Sequence, residues 1–147
     1  MGDMMNTVKN LSKQFSWLPV ALIALALFVH AQMQPRFDVK NISIEEVSAL
    51  IDSGAVVVDV RGKEAFDARH IPGALNLPLS LLRDGIPAVL ASSKALPIVV
   101  YCGDGVRIGP EGTSLLNQAG YTNAVNVEKG IQGWADAGRR ISASSVN

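Results

Sequence analysis

Near-continuous apolar runs alternate along this chain with segments in which apolar positions recur every three or four residues. Residues 55–60 (AVVVDV) and 96–101 (LPIVVY) are β-branched and mostly apolar, the pattern of strands buried on both faces of a sheet. Residues 124–127 predict a third, shorter strand. Ser43-Ile44-Glu45-Glu46 has the S-x-x-E form of a capping box, Val47, Leu50 and Ile51 follow at helical spacing, and Gly54 ends the helix. Residues 113–119 predict a helix stopped by Gly120, with its start near Gly109-Pro110, because proline suits a first turn. A further helix is predicted over residues 131–137, with Gly138 behind it. Strands alternating with helices point to an α/β domain with a mainly parallel sheet. Sites in such sheets lie off the carboxyl ends of the strands. Asp59–Arg61 and Cys102–Arg107 are the polar segments that fall there.

Ahead of this pattern stands an apolar run of a different kind. Residues 17–29 (WLPVALIALALFV) contain no polar side chain, and widening the run to residues 15–33 admits only Ser16, His30 and Gln32. As a helix the wider run reaches about 28 Å, close to one bilayer core. It is expected to be a single-pass membrane anchor over residues 15–33, with Trp17 at the interface. A cleaved signal peptide is the alternative: Lys9 and Lys13 precede the run, and Val29-His30-Ala31 offers a cleavage site near Ala31. The third reading is a buried core helix. Lys9 and Lys13 flank one side, Arg36 and Lys40 the other, and signal-like placement favours a domain on the outer, extracytoplasmic side. Gln34-Pro35-Arg36 reads as a linker, which divides the chain into an anchor or signal segment, 1–35, and a domain, 36–147.

Composition narrows the chemistry. With 147 residues, 48% of them apolar and 18% charged, the chain suits one packed domain. A formal net charge of zero offers nothing to attract nucleic acid. There is one cysteine, Cys102, so an internal disulfide is excluded, and with two histidines so is a cysteine-rich zinc site. Cys102 is then either a small buried apolar residue or a reactive thiol.

Its position favours reactivity. Cys102 leaves a predicted buried strand and enters Gly103-Asp104-Gly105-Val106-Arg107, where two glycines let the backbone turn its N–H groups inward. Such N–H groups at a helix start form an anion site, and a thiol placed there is favoured as thiolate, the reactive form. Arg107 adds a fixed positive charge with a planar fork suited to oxyanions. The candidate catalytic pair is therefore Cys102 and Arg107. The candidate substrate-binding residues are Gly103, Asp104, Gly105 and Val106, with Arg61 at the side.

Four motifs, taken together, resemble the rhodanese-like domains. They are Asp59-Val60-Arg61 with Ala65-Phe66; His70-Ile71-Pro72-Gly73-Ala74-Leu75-Asn76-Leu77-Pro78; Cys102 through Arg107; and Gly120-Tyr121 with Gly130-Ile131-Gln132-Gly133-Trp134 and Ala137-Gly138. The resemblance covers about residues 40–141. It implies a mainly parallel sheet with helices on both faces and a persulfide intermediate on Cys102, and neither a metal nor an organic cofactor. It further implies a small sulfur-containing anion or a protein persulfide as donor, and a thiol or cyanide as acceptor. In the family pattern His70 belongs to a structural turn. Asn76 is expected to tie loop backbone, and Asp59 and Arg61 to brace the loop. The chain departs from the pattern in having Ile108 after the arginine, and an Arg107-to-Gly120 segment about one residue longer than usual. Asp104 departs too, since a carboxylate in this loop should oppose a dianionic donor such as thiosulfate. Two other functions compete. Phosphatases of this fold use a C-x5-R loop, whereas only four residues separate Cys102 from Arg107. A non-enzymatic, membrane-tethered binding or redox-sensing module is the second.

Overall fold

The computed structural model describes residues 17–32 and 36–144. The chain divides into two units, 1–36 and 37–147. The described part of the first is a single helix, α1 (Leu18–Gln32), in which no residue is buried. Its 15 residues make a helix of about 22 Å, well short of the roughly 30 Å of a hydrocarbon core.

Among the described residues no helix is long and apolar enough to cross a membrane. This corrects the single-pass anchor expected over residues 15–33, together with the membrane as a partner and the outer-side location of the domain. The physical reason is length: a run of apolar residues was read as a spanning helix, but the described helix stops at Gln32. The exported alternative is corrected with it. Val29, His30 and Ala31, where cleavage was expected, lie within the described helix. Lys9, Lys13, Phe15, Ser16, Met33, Gln34 and Pro35, on which parts of those expectations rested, lie outside the described residues.

The second unit is built on a five-stranded sheet. Its strands are β1 (Asn41–Ile42), β2 (Val56–Asp59), β3 (Leu75–Asn76), β4 (Ile98–Tyr101) and β5 (Ala124–Val127), in the order β1-β5-β4-β2-β3. All four strand pairs are parallel. The helices between them are α2 (Ile44–Asp52), α3 (Lys63–Ala68), α4 (Leu79–Asp84), α5 (Ile108–Gln118) and α6 (Gly130–Asp136), with a 3-10 segment over Ala88–Ser93. The capping box at α2 is formed in full: the Glu46 N–H donates to Ser43 Oγ, and the Ser43 N–H to Glu46 Oε2 at 2.9 Å.

Strand alternation creates two apolar layers. Val58, Val100 and Cys102 belong to a layer with Leu79, Leu82 and Leu116 of α4 and α5. Val57, Val99 and Tyr101 belong to the other, with Val47 of α2 and Ile131 and Trp134 of α6. Val58, Val99 and Val100 are fully buried, as runs read as two-faced strands should be. Helix α5 begins at Ile108, earlier than the residues of highest apolar periodicity, and Pro110 sits in its first turn. There the missing proline N–H leaves no hydrogen bond unmade.

Candidate active site

Strand β4 delivers Cys102 to the carboxyl edge of the sheet. Its side chain points to the α4–α5 layer, and the residue is only 1% exposed. Even so, Cys102 lines an open cavity of about 630 Å3, with Arg61, Arg69, Gly103, Asp104, Arg107, Ile108 and Gln132 around it. The thiol sits at the floor and the loop forms one wall.

The loop turns tightly at Gly105. Its φ of +78° is a region that suits glycine, and a Cβ there would lie 2.5 Å from the Val127 carbonyl and 2.6 Å from the Lys129 nitrogen. That close approach aims the Gly105 N–H at Cys102 Sγ, to which it donates at 3.2 Å. Asp104 Oδ1 accepts from the Cys102 thiol at 3.6 Å and from the Val106 N–H at 3.0 Å.

Neighbouring elements hold the loop from below and behind. Buried Asn126, on β5, donates from Nδ2 to the Gly105 carbonyl at 2.9 Å and to Asn41 Oδ1 at 2.7 Å. The first turn of α6 meets the loop's other carbonyls. The Ile131 N–H donates to Cys102 O at 2.9 Å, and the Gln132 N–H to Gly103 O at 3.1 Å.

At the side stands a buried ion pair. Arg61 donates from Nε to Asp59 Oδ1 at 2.9 Å and from Nη2 to Asp59 Oδ2 at 2.6 Å, while Nη2 also donates to the Arg69 carbonyl at 2.7 Å. Burial works against the Arg61 charge, but the Asp59 carboxylate outweighs it and raises the Arg61 pKa. Buried Tyr101 lies beneath, its ring centroid 5.7 Å from the Arg61 guanidinium carbon. Asn76 Nδ2 donates to the Arg61 carbonyl at 2.9 Å and to the Asp59 carbonyl at 3.3 Å, the backbone tie expected of it.

The sequence-derived residues therefore do not all stand in one place. Cys102, Gly103, Asp104, Arg107 and Arg61 share the cavity wall. Gly105 is buried under the loop, and Val106 turns its side chain to solvent at 68% exposure. Their N–H groups donate to Cys102 Sγ and to Asp104 Oδ1 respectively. Arg61 faces the cavity with much of its fork already engaged by Asp59 and Arg69. His70 is absent from the cavity wall: it stacks on Phe66 with ring centroids 4.0 Å apart, and its backbone bridges to Ser142. Trp134 packs in the second layer and donates to the Arg140 carbonyl.

Three lining residues were not among the site residues expected from the sequence: Arg69, Ile108 and Gln132. Arg69 Nη2 donates to Gln132 Oε1 at 3.3 Å across 63 positions of sequence. Arg69 stands just before His70 and Ile108 just after Arg107, while Gln132 lies inside the fourth motif without having been read as a site residue. Membership of a motif or adjacency to one was the signal available.

Comparison with known proteins agrees with this geometry. The rhodanese-like domain profile matches residues 43–137. The uncharacterized protein YibN of Escherichia coli (strain K12) is 33% identical over 121 residues, covering 80% of this chain and 84% of YibN. The human thiosulfate:glutathione sulfurtransferase is 34% identical over 108 residues, covering 65% of this chain and 93% of that protein. Among solved structures, a rhodanese-related protein from Thermoplasma volcanium superposes with a TM-score of 0.61 at 26% identity, covering 70% of this chain and 97% of that one. A parallel sheet in the order β1-β5-β4-β2-β3, a cysteine loop at its carboxyl edge and a match over residues 43–137 together place this chain in the rhodanese-like domain family.

Proposed function

We propose that the chain is a sulfurtransferase that carries sulfane sulfur as a persulfide on Cys102, within a domain spanning residues 36–147. The observation that carries this reading is the thiol itself. Cys102 Sγ lies on the floor of an open cavity and receives the Gly105 N–H at 3.2 Å. A backbone donor in that position stabilises negative charge on sulfur, both in the thiolate and in the transition state of attack.

Cys102 Sγ attacks the outer sulfur of the donor, the donor's S–S or S–sulfonate bond breaks, and the sulfur remains on Cys102. An acceptor thiolate or cyanide then takes the outer sulfur and returns the thiol. Arg107, exposed on the wall, draws anionic donors to the floor by charge. Sulfur-transfer names among the relatives, such as the human thiosulfate:glutathione sulfurtransferase, support the same chemistry.

Replacing the nucleophile tests it. Cys102→Ser is expected to gain no sulfur atom by intact mass after exposure to thiosulfate or a persulfide, and to form no thiocyanate with cyanide. Sulfur uptake that survives the substitution overturns the assignment. A wild-type chain that never takes up sulfur supports the non-enzymatic binding reading.

A further inference from the structure

We propose that Asp104 is a specificity-determining residue: it turns the Cys102 site away from the thiosulfate dianion and towards persulfide donors, R–S–SH, whose R group carries no negative charge. The inference rests on the sulfur-transfer reading above and names the donor class of that site.

Three observations carry it. Asp104 lines the cavity, so its carboxylate faces the donor rather than the protein interior. Its Oδ1 stands 3.6 Å from Cys102 Sγ, which is where an approaching donor must place its outer sulfur. The carboxylate is also held there, because the Val106 N–H donates to the same oxygen at 3.0 Å. An N–H group that could bind the donor's anionic end is thereby occupied by the protein's own anion. The loop that should attract an oxyanion instead presents one.

The two donor classes meet this carboxylate differently. Thiosulfate brings two negative charges next to it, and each is repelled. A neutral-headed persulfide brings at most one, on its terminal sulfur. Transfer from it is balanced without any other reactant: Cys102–SH and R–S–SH give Cys102–S–SH and R–SH. The bond from Sγ to the sulfane sulfur forms, the donor's S–S bond breaks, and the proton released by the Cys102 thiol leaves on R–SH. Arg61, Arg69 and Arg107 line the same cavity, Arg61 already paired with Asp59, so removing the Asp104 charge leaves Arg69 and Arg107 as the charges that a donor meets. The dianion then gains most.

The experiment compares the full chain with Asp104→Asn, which keeps an acceptor for the Val106 N–H and removes the charge. Sulfur loading of Cys102 is followed by intact mass with thiosulfate and, separately, with N-acetylcysteamine persulfide as the neutral-headed donor. At low salt the ratio of kcat/KM for thiosulfate to that for the persulfide is expected to rise about ten-fold in the variant. At high salt the rise is expected to shrink to about two-fold, because exposed charges are screened. An unchanged ratio at low salt, with Cys102 still loading, overturns the role of Asp104 and leaves sulfur transfer standing. No loading of either protein by either donor overturns the sulfur-transfer reading, and the selectivity with it.

Discussion

Tyr101 shows how far the burial of one residue reaches. Its ring is fully buried at the end of β4, and its hydroxyl accepts the Ile71 N–H at 3.1 Å. Burial, reinforced by the nearby Asp59 carboxylate, pushes the phenol's pKa far above its ordinary value. Tyr101 therefore stays protonated in the fold beyond about pH 10, where an unfolded tyrosine ionises. Above that pH the unfolded chain binds fewer protons than the folded one, so stability falls as pH rises; below it both states hold the proton and the effect vanishes. Tyr101→Phe is expected to flatten this alkaline loss. It leaves the Ile71 N–H unpaired, at a cost of about 1–3 kcal/mol near neutral pH. Urea midpoints of both proteins at neutral and alkaline pH measure the two effects, and an equal alkaline drop in the variant contradicts the role given to Tyr101. Little of this was legible from the residue alone. Tyr101 closes an apolar run and reads as strand, whereas its partners Asp59 and Ile71 come from other segments.

Among the helices, α6 is the one whose first turn holds the Cys102 loop. It begins at Gly130, whose φ is +51°, and a Cβ there would lie 2.8 Å from the carbonyl carbon of Gly103 and run into the Cys102 carbonyl oxygen. Gly130→Ala is expected to push the helix off the loop and to cost the Ile131 and Gln132 hydrogen bonds to it. Stability is expected to fall by about 1–3 kcal/mol and sulfur loading by at least about ten-fold. Thermal melting and intact-mass loading rates check both, and normal loading in a folded variant shows that the loop stands without α6. The sequence showed α6 and the three central strands because local patterning dictates them: β-branched runs for β2, β4 and β5, glycine behind the helix. It hid β1 and β3, two residues each, which exist only because longer strands offer them an edge. The six-residue helices α3 and α4 were hidden too, for so few residues hold less than two turns of apolar periodicity. In the site, the Cys102 loop was legible as one contiguous motif. The Arg69–Gln132 pair was not, since tertiary packing alone brings it together. The apolar run before residue 33 misled for a related reason: hydrophobicity is readable residue by residue, whereas the length of the helix that carries it is not.

At the scale of the whole molecule, both apolar layers are built from residues of the second unit, the earliest being Ile42. A chain beginning at Phe37 is therefore expected to keep the melting temperature and the sulfur-loading rate of the full chain. Calorimetry and intact mass test this, and a lowered melting temperature assigns the first 36 residues a part in holding the domain together. The sheet order has a consequence in time. Asn41 pairs with Asn126 and Ile42 with Val127, so the first strand is seated only by the last. Pairings this distant in sequence form slowly, after the long intervening loop has closed. During synthesis the Cys102 loop emerges before β5 and before α6, the elements that grip its carbonyls. A nascent chain halted at Gly120 carries the thiol but neither Asn126 nor Ile131. On the proposed reading, the site that would hold sulfur is complete only once β5 and α6 have followed the loop, and a product that ends at Gly120 lacks both of the elements that grip it.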